Sequence, residues 1–300
     1  MTEEPPVRDE DVLVARSAPV DGFTLAYDRA GAGPPVVLLH GWPGSRSDYD
    51  KVVPALTGVA DVVVPDLRGF GDSDRHDRPP AEAYGAAHQA ASVLGLIDEL
   101  GLERPVLVGY DVGSRVAQFA ARERPDAVRA LVLSPPLPGI GDRILTPDGQ
   151  RAFWYQPFHR LPLSDRLLDG RPEAVRAYLE HFWTAWAAPG RELEEDRLDA
   201  LTALYARPGA FAASVAWYRA GAGAVAHSVA ERTPAPEDRL PVPVTVLWGD
   251  QEPLFPVAWS DRLDDFLADV DLRVLPGIGH FTPVEAPDAV VTAVRERLRS

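Results

Sequence analysis

Three short stretches of this chain carry side chains that can make and break bonds. In Gly109-Tyr110-Asp111-Val112-Gly113 an aspartate sits between two glycines, after the apolar run Val106 to Val108 and before a helix-like pattern. In Trp248-Gly249-Asp250-Gln251-Glu252-Pro253 two acids follow a strand-like run, and in Gly277-Ile278-Gly279-His280-Phe281 a histidine follows another. Asp111 alone reads equally well as a helix N-cap, since aspartate before a helix commonly accepts a backbone N–H. The flanking glycines argue for a tighter, strained turn. A carboxylate held there is a nucleophile toward an sp3 carbon bearing a leaving group, and its product is an alkyl ester of the protein itself. That ester must be hydrolysed. His280, with an ordinary pKa near neutrality, is the candidate base for the water. An acid must orient it, and Glu252 and Asp250 compete for that role. The other histidines weighed, His76, His88, His159, His181 and His227, lack such a context; His159, close to the cap aromatics, is the one singled out.

The elements that must hold these residues alternate between strand and helix. Residues 1–10 read as a loose tail. Residues 11–16 and 22–28 pair as a hairpin around Asp21-Gly22. Val36 to Leu39, Val62 to Val64, Val106 to Val108 and Ala130 to Leu133 are short buried strands; Ala86 to Leu100 and Gly113 to Arg124 are helices. The rhythm breaks at 137–238, which has almost no β-type run and helical spacing at 173–187, 193–206 and 210–223. It resumes with strands Val242 to Leu247 and Leu272 to Leu275 and helices near 257–268 and 288–299. Such alternation implies an α/β protein with a mostly parallel sheet covered on both faces. Residues 1–136 and 239–300 then form the core, and 137–238 a helical cap over the sheet's C-terminal edge. Ligands of open α/β sheets bind at that edge.

Composition excludes several classes. The apolar fraction is 46% and the charged fraction 25%, as in a soluble globular protein. No apolar run is long enough to span a membrane, and Met1 to Pro6 has no secretory core. A formal net charge of −15 disfavours nucleic acid and anionic lipid as partners. There is no cysteine, which removes thiol nucleophiles and disulfides and suits a cytoplasmic protein.

The ordered motifs, together with His40-Gly41-Trp42-Pro43-Gly44 and the Asp66 to Ser73 turn, resemble the α/β-hydrolase fold, and within it the soluble epoxide hydrolases. Such folds place a nucleophile in a G-x-S-x-G elbow and keep the order nucleophile, acid, histidine. The resemblance implies an eight-stranded, mostly parallel sheet with an inserted helical cap. It implies Asp111 as nucleophile and Glu252 as the acid behind His280, with Asp250 the alternative. It implies backbone N–H groups of Trp42 and Val112 as the oxyanion hole, with His40 orienting that turn. Two cap tyrosines assist ring opening in this family; Tyr155 in Trp154-Tyr155-Gln156 and Tyr218 in Trp217-Tyr218-Arg219 match. Pocket-lining candidates are His40, Trp154, His159, Trp183 and Phe281, with Trp186 and Trp217 as pocket or cap core.

The expected reaction is therefore hydrolysis of a small apolar epoxide to a vicinal diol, with water as the second substrate and no metal or organic cofactor. Related proteins imply a homodimer through the cap. Haloalkane and haloacetate dehalogenases share the aspartate elbow and form the alternative. The first usually carry Trp directly after the nucleophile, where this chain has Val112. The second resemble an elbow with Arg there and another three residues on, a pattern that Arg115 meets only in its second half. A catalytically silent binding protein of the same fold is the remote alternative.

Overall fold

A computed structural model describes residues 12–191 and 193–300; the expected tail at 1–10 lies outside them. Eight strands form one sheet: β1 (Leu13–Arg16), β2 (Ala26–Gly31), β3 (Pro35–Leu39), β4 (Asp61–Pro65), β5 (Val106–Gly109), β6 (Ala130–Leu133), β7 (Val244–Gly249) and β8 (Val270–Leu275). Their order is β1-β2-β4-β3-β5-β6-β7-β8. β2 runs antiparallel to both its neighbours, and every pairing from β4 through β3 to β8 is parallel. The central strands read PVVLL, VLVG and ALVL, and all but Pro35 are buried. Continuous apolar runs of this kind require cover on both faces. Helices α1 (Ala86–Glu99) and α2 (Val112–Glu123) pack on each other, and α2 lies against β3 and β5.

Between β6 and β7 every named element among the described residues is helical, including α3 (Tyr155–His159), α4 (Pro172–Trp186), α5 (Ala216–Arg219) and α6 (Ala224–Ala230). The final helix α7 (Pro287–Arg299) returns against β5, β6 and β7. Register aligns Leu39 with Gly109 and Gly109 with Leu133. The loops after β3 and β5 therefore leave the sheet at one edge, and those after β7 and β8 leave the same way. The helical insertion is fastened there: Trp183 Nε1 donates to Pro43 O at 2.9 Å, Tyr205 OH to Gly44 O at 2.8 Å, and His280 N to Trp186 O at 2.9 Å. No helix among the described residues is long and apolar enough to cross a membrane.

The element expectations hold with local corrections. The Asp21-Gly22 turn forms, with both residues at positive φ and a bridge between Val20 and Phe23. The second strand starts at Ala26 rather than 22, because Thr24 N–H donates to Asp74 and Ala26 N–H to Ser73, tying this stretch to the 66–74 loop. β7 starts at Val244 rather than 242, after Pro243, which has no N–H for the ladder. The helix expected near 257–268 is a run of 3-10 turns, Val257–Asp265. The span 210–223 breaks at Val215 into two short helices.

Candidate active site

Asp111 occupies the sharp turn from β5 into α2 with φ 47° and ψ −118°. A non-glycine residue at positive φ is strained and persists only where its surroundings hold it. The N-cap reading fails, because the Asp111 side chain makes no bond to the helix N–H groups. Instead its Oδ1 accepts the Trp42 N–H at 2.7 Å. That approach needs a bare Gly41, where a Cβ would stand 2.6 Å from the Asp111 Cβ. A Cβ on Gly113 would run into the Leu39 carbonyl, so the second elbow glycine lets α2 seat on β3. Val112 is the first residue of α2, and its N–H is one of the four that have no carbonyl partner inside a helix.

The turn carrying Trp42 is braced from beneath. Leu67 N–H donates to His40 Nε2 at 3.0 Å, so Nδ1 carries the ring proton and donates it to Gly41 O at 2.9 Å. His40 thus orients the turn and does not line a pocket. Asp48 accepts from Tyr110 OH at 2.5 Å and from Ser45 N at 3.2 Å, which fixes the following residues.

The competition between the two acids is resolved by distance. Glu252 Oε2 stands 2.7 Å from His280 Nδ1, and its Oε1 accepts Leu254 N–H at 2.8 Å. Asp250 is exposed and spends Oδ1 on Gly277 N at 2.7 Å, closing a loop. On the other side, His280 Nε2 lies 3.6 Å from Asp111 Oδ2, an ion-pair separation longer than a hydrogen bond. Burial pushes the imidazole toward its neutral form, but the carboxylates of Glu252 and Asp111 outweigh it and raise its pKa to about 10.

One further carboxylate holds this loop and escaped the sequence reading. Glu285 is buried; Oε2 accepts Gly279 N at 2.8 Å and Ala188 N at 2.9 Å, and Oε1 accepts Phe281 N at 2.8 Å. It therefore grips both residues flanking His280 and ties them to the insertion. Only the spacing His-Phe-x-x-x-Glu hinted at it, and an acid at a helix end ordinarily reads as a solvated charge.

Tyr155 and Tyr218 meet edge to face with ring centroids 5.7 Å apart. Trp42 stacks on Tyr155 at 5.8 Å and meets Tyr218 edge-on at 6.0 Å. Both phenols are pushed well above their ordinary pKa, Tyr155 by burial and the charge of Asp111, Tyr218 by burial, Tyr155 and Asp111. They remain protonated donors. With Asp111, Val112, Gln156 and Trp217 they line a cleft with about 10 Å³ of free volume, the room of roughly one water molecule. A larger open cleft of about 550 Å³ lies between residues 75–84 and the insertion and contains none of these groups. Arg115 lines the small cleft too. It is buried, its Nε and Nη2 have no hydrogen-bond partner, and burial pushes its pKa down to about 10.

The remaining pocket candidates lie elsewhere. Trp154 is 42% exposed and stacks on Phe182 on the outer side of the insertion. Trp183 and Phe281 stack on each other at 3.6 Å and buttress the Pro43 turn. His159 is buried behind the tyrosines, 4.7 Å from the Trp42 ring and 4.8 Å from that of Tyr218, with Nε2 at 3.0 Å from Tyr178 OH. Trp186 takes the inward place instead, 5.1 Å from the His280 ring and 5.0 Å from that of Tyr155.

The chain is similar to known proteins along most of its length. The chain is 29% identical over 292 residues to a soluble epoxide hydrolase of Corynebacterium sp. (strain C12), covering 93% of this chain and 95% of that one. It is also 29% identical over 295 residues to a fluoroacetate dehalogenase of Burkholderia sp., covering 94% and 93%. The solved structure of the epoxide hydrolase CorEH superposes with a TM-score of 0.82 at 26% identity, covering 96% of this chain and 99% of that one. The model of the alpha/beta hydrolase fold matches residues 34–287, and the chain belongs to the α/β-hydrolase-fold family.

Proposed function

We propose that this hydrolase opens a small apolar epoxide to a vicinal diol through a covalent ester on Asp111, in the cytoplasm, with residues 137–238 as its cap. The observation that carries the reading is the pair of protonated phenols, Tyr155 and Tyr218, lining the same cleft as Asp111. Asp111 Oδ1 is occupied by the Trp42 amide, which leaves Oδ2 to attack. The Oδ2–carbon bond forms as the ring C–O bond breaks, and a phenol gives its proton to the departing oxygen. With the Asp111 charge gone, His280 releases its own proton to solvent; water then adds to Cγ while His280, oriented by Glu252, takes a water proton. The Trp42 amide, joined by that of Val112, stabilises the oxyanion; such donors are worth roughly 3–4 kcal/mol each. Collapse expels the diol oxygen, which takes the proton back from His280; the regenerated carboxyl returns its own proton to the phenolate, and His280, again beside a charged Asp111, takes up a proton from solvent.

A single turnover in 18O-labelled water tests the route. The label is expected in the Asp111 carboxylate and not in the first diol, while His280→Gln accumulates the ester as an intact-mass adduct. Label in the first diol would overturn covalent catalysis. A second reading, dehalogenation of a small halo acid, is favoured by the buried Nε and Nη2 of Arg115, which have no hydrogen-bond partner and fit a substrate carboxylate. Halide release from fluoroacetate without diol formation from any epoxide would establish that reading instead.

A further inference from the structure

Gln156 follows Tyr155 on α3 and is buried in the same cleft. Its Oε1 accepts the Val225 N–H at 3.1 Å, and its Nε2 donates to Tyr155 OH at 3.2 Å. The first bond settles which way the amide points, because a flipped amide would set N–H against N–H. With Nε2 directed at the phenol, the phenol oxygen is an acceptor there, and its hydrogen must point elsewhere. Among the described residues nothing accepts that hydrogen. The cleft toward Asp111 is what remains.

We propose that Gln156 is a positioning residue that aims the Tyr155 hydrogen at the oxygen of the opening ring and stabilises the phenolate left behind. The inference rests on the epoxide reading above. In the resting protein the Gln156–Tyr155 bond joins two neutral groups. When the ring C–O bond breaks and the phenol proton moves to the alkoxide, the same Nε2–H faces a full negative charge. Charge-assisted bonds are roughly twice as strong as neutral ones, so the contact strengthens as the transition state is reached and accelerates the step. The position of Gln156 is set by its surroundings. A Cβ on Gly223 would stand 2.7 Å from Gln156 Oε1 and 2.9 Å from Tyr218 Cδ1. The bare backbone there lets the amide and the second phenol lie side by side.

Gln156→Glu separates aiming from mere packing. The glutamate keeps the shape and still accepts from Val225 N. As a carboxylate it has no hydrogen, so the Tyr155 O–H turns toward it and away from the ring oxygen. Single-turnover ester formation on a styrene oxide-type epoxide is expected to fall about 10–100-fold at neutral pH. It recovers on acidification, when the protonated carboxyl donates to Tyr155 again, whereas the unsubstituted protein shows no such rise. Gln156→Leu is slowed at every pH. In both variants the ester-hydrolysis phase changes less than about twofold, since His280 and Glu252 are untouched. A Gln156→Glu profile that parallels the unsubstituted protein, or losses shared equally by the two phases, would overturn the proposal. Failure of the epoxide reading itself shows separately, as absence of ester in the unsubstituted protein.

Discussion

Asp111→Asn removes a charge from the site and leaves its shape, and so mimics the charge state of the proposed ester. The effect on His280 can be worked out. The carboxylate oxygen lies 3.6 Å from Nε2. With an effective dielectric constant of about 20, a unit charge at that distance contributes about 5 kcal/mol to the imidazolium, or about 3 pH units. The His280 pKa, about 10 with both carboxylates present, is therefore expected near about 7 in the variant. Imidazole NMR resonances followed through a pH titration read it directly, and the ester-hydrolysis phase of the unsubstituted protein is expected to rise with pH through the same lower value. A His280 that still titrates near 10 in the variant would refute the reasoning, because Glu252 alone would then hold the proton and ester formation could not release it.

The same numbers fix a stability window. The folded pKa of His280 lies above its unfolded value of about 6.5. Its contribution is thus fully present below that pH and is lost as pH rises through about 10. In Asp111→Asn most of that contribution is absent already at about pH 7, so denaturation midpoints of the two proteins should converge on going from pH 7 to above 10.

Three further substitutions discriminate among the carboxylates. Glu252→Gln should slow ester hydrolysis by about 10³–10⁴-fold while Asp250→Asn leaves it within about twofold, by rapid-quench kinetics; equal losses would reassign the acid. Glu285→Gln sets an NH₂ group against backbone N–H donors around His280, and should lower the free energy of unfolding in urea by about 2–4 kcal/mol and slow ester hydrolysis more than ester formation; an unchanged urea midpoint would count against the grip described for this residue.

The cluster of Asp111, Glu252 and His280 was legible because each member sits in a short loop at a strand end, where glycines and strand patterning fix its place within a residue or two. Glu252 and Asp250 could not be separated locally: both flank the same turn, and only the position of His280, 28 residues downstream, decides between them. The aromatic residues of the insertion were legible as a class and not individually. Trp154, Trp183 and Trp186 are chemically alike, and a helical pattern does not reveal which face meets the sheet edge. That choice depends on how α4 is turned over the Pro43 loop, a contact made across 140 residues. Glu285 was hidden for the opposite reason: its chemistry is all local, three N–H groups within reach, but a carboxylate satisfied by backbone looks in a sequence like one satisfied by water.

The placement of His280 between two carboxylates also orders the two half-reactions of the proposed cycle. While Asp111 is charged, the imidazole holds its proton and is no base, so water in the cleft is not activated before a substrate arrives. Alkylation of Asp111 neutralises one of the two charges that hold that proton. The base is released by the step that creates the ester it must hydrolyse. Glu252 cannot play that part, because its charge persists throughout. An acid in either position would raise the pKa of the imidazole, but only one that is consumed as the nucleophile can lower it again at the right moment. In the proposed cycle the aspartate in the elbow therefore does more than replace a serine: its charge sets when the histidine becomes a base.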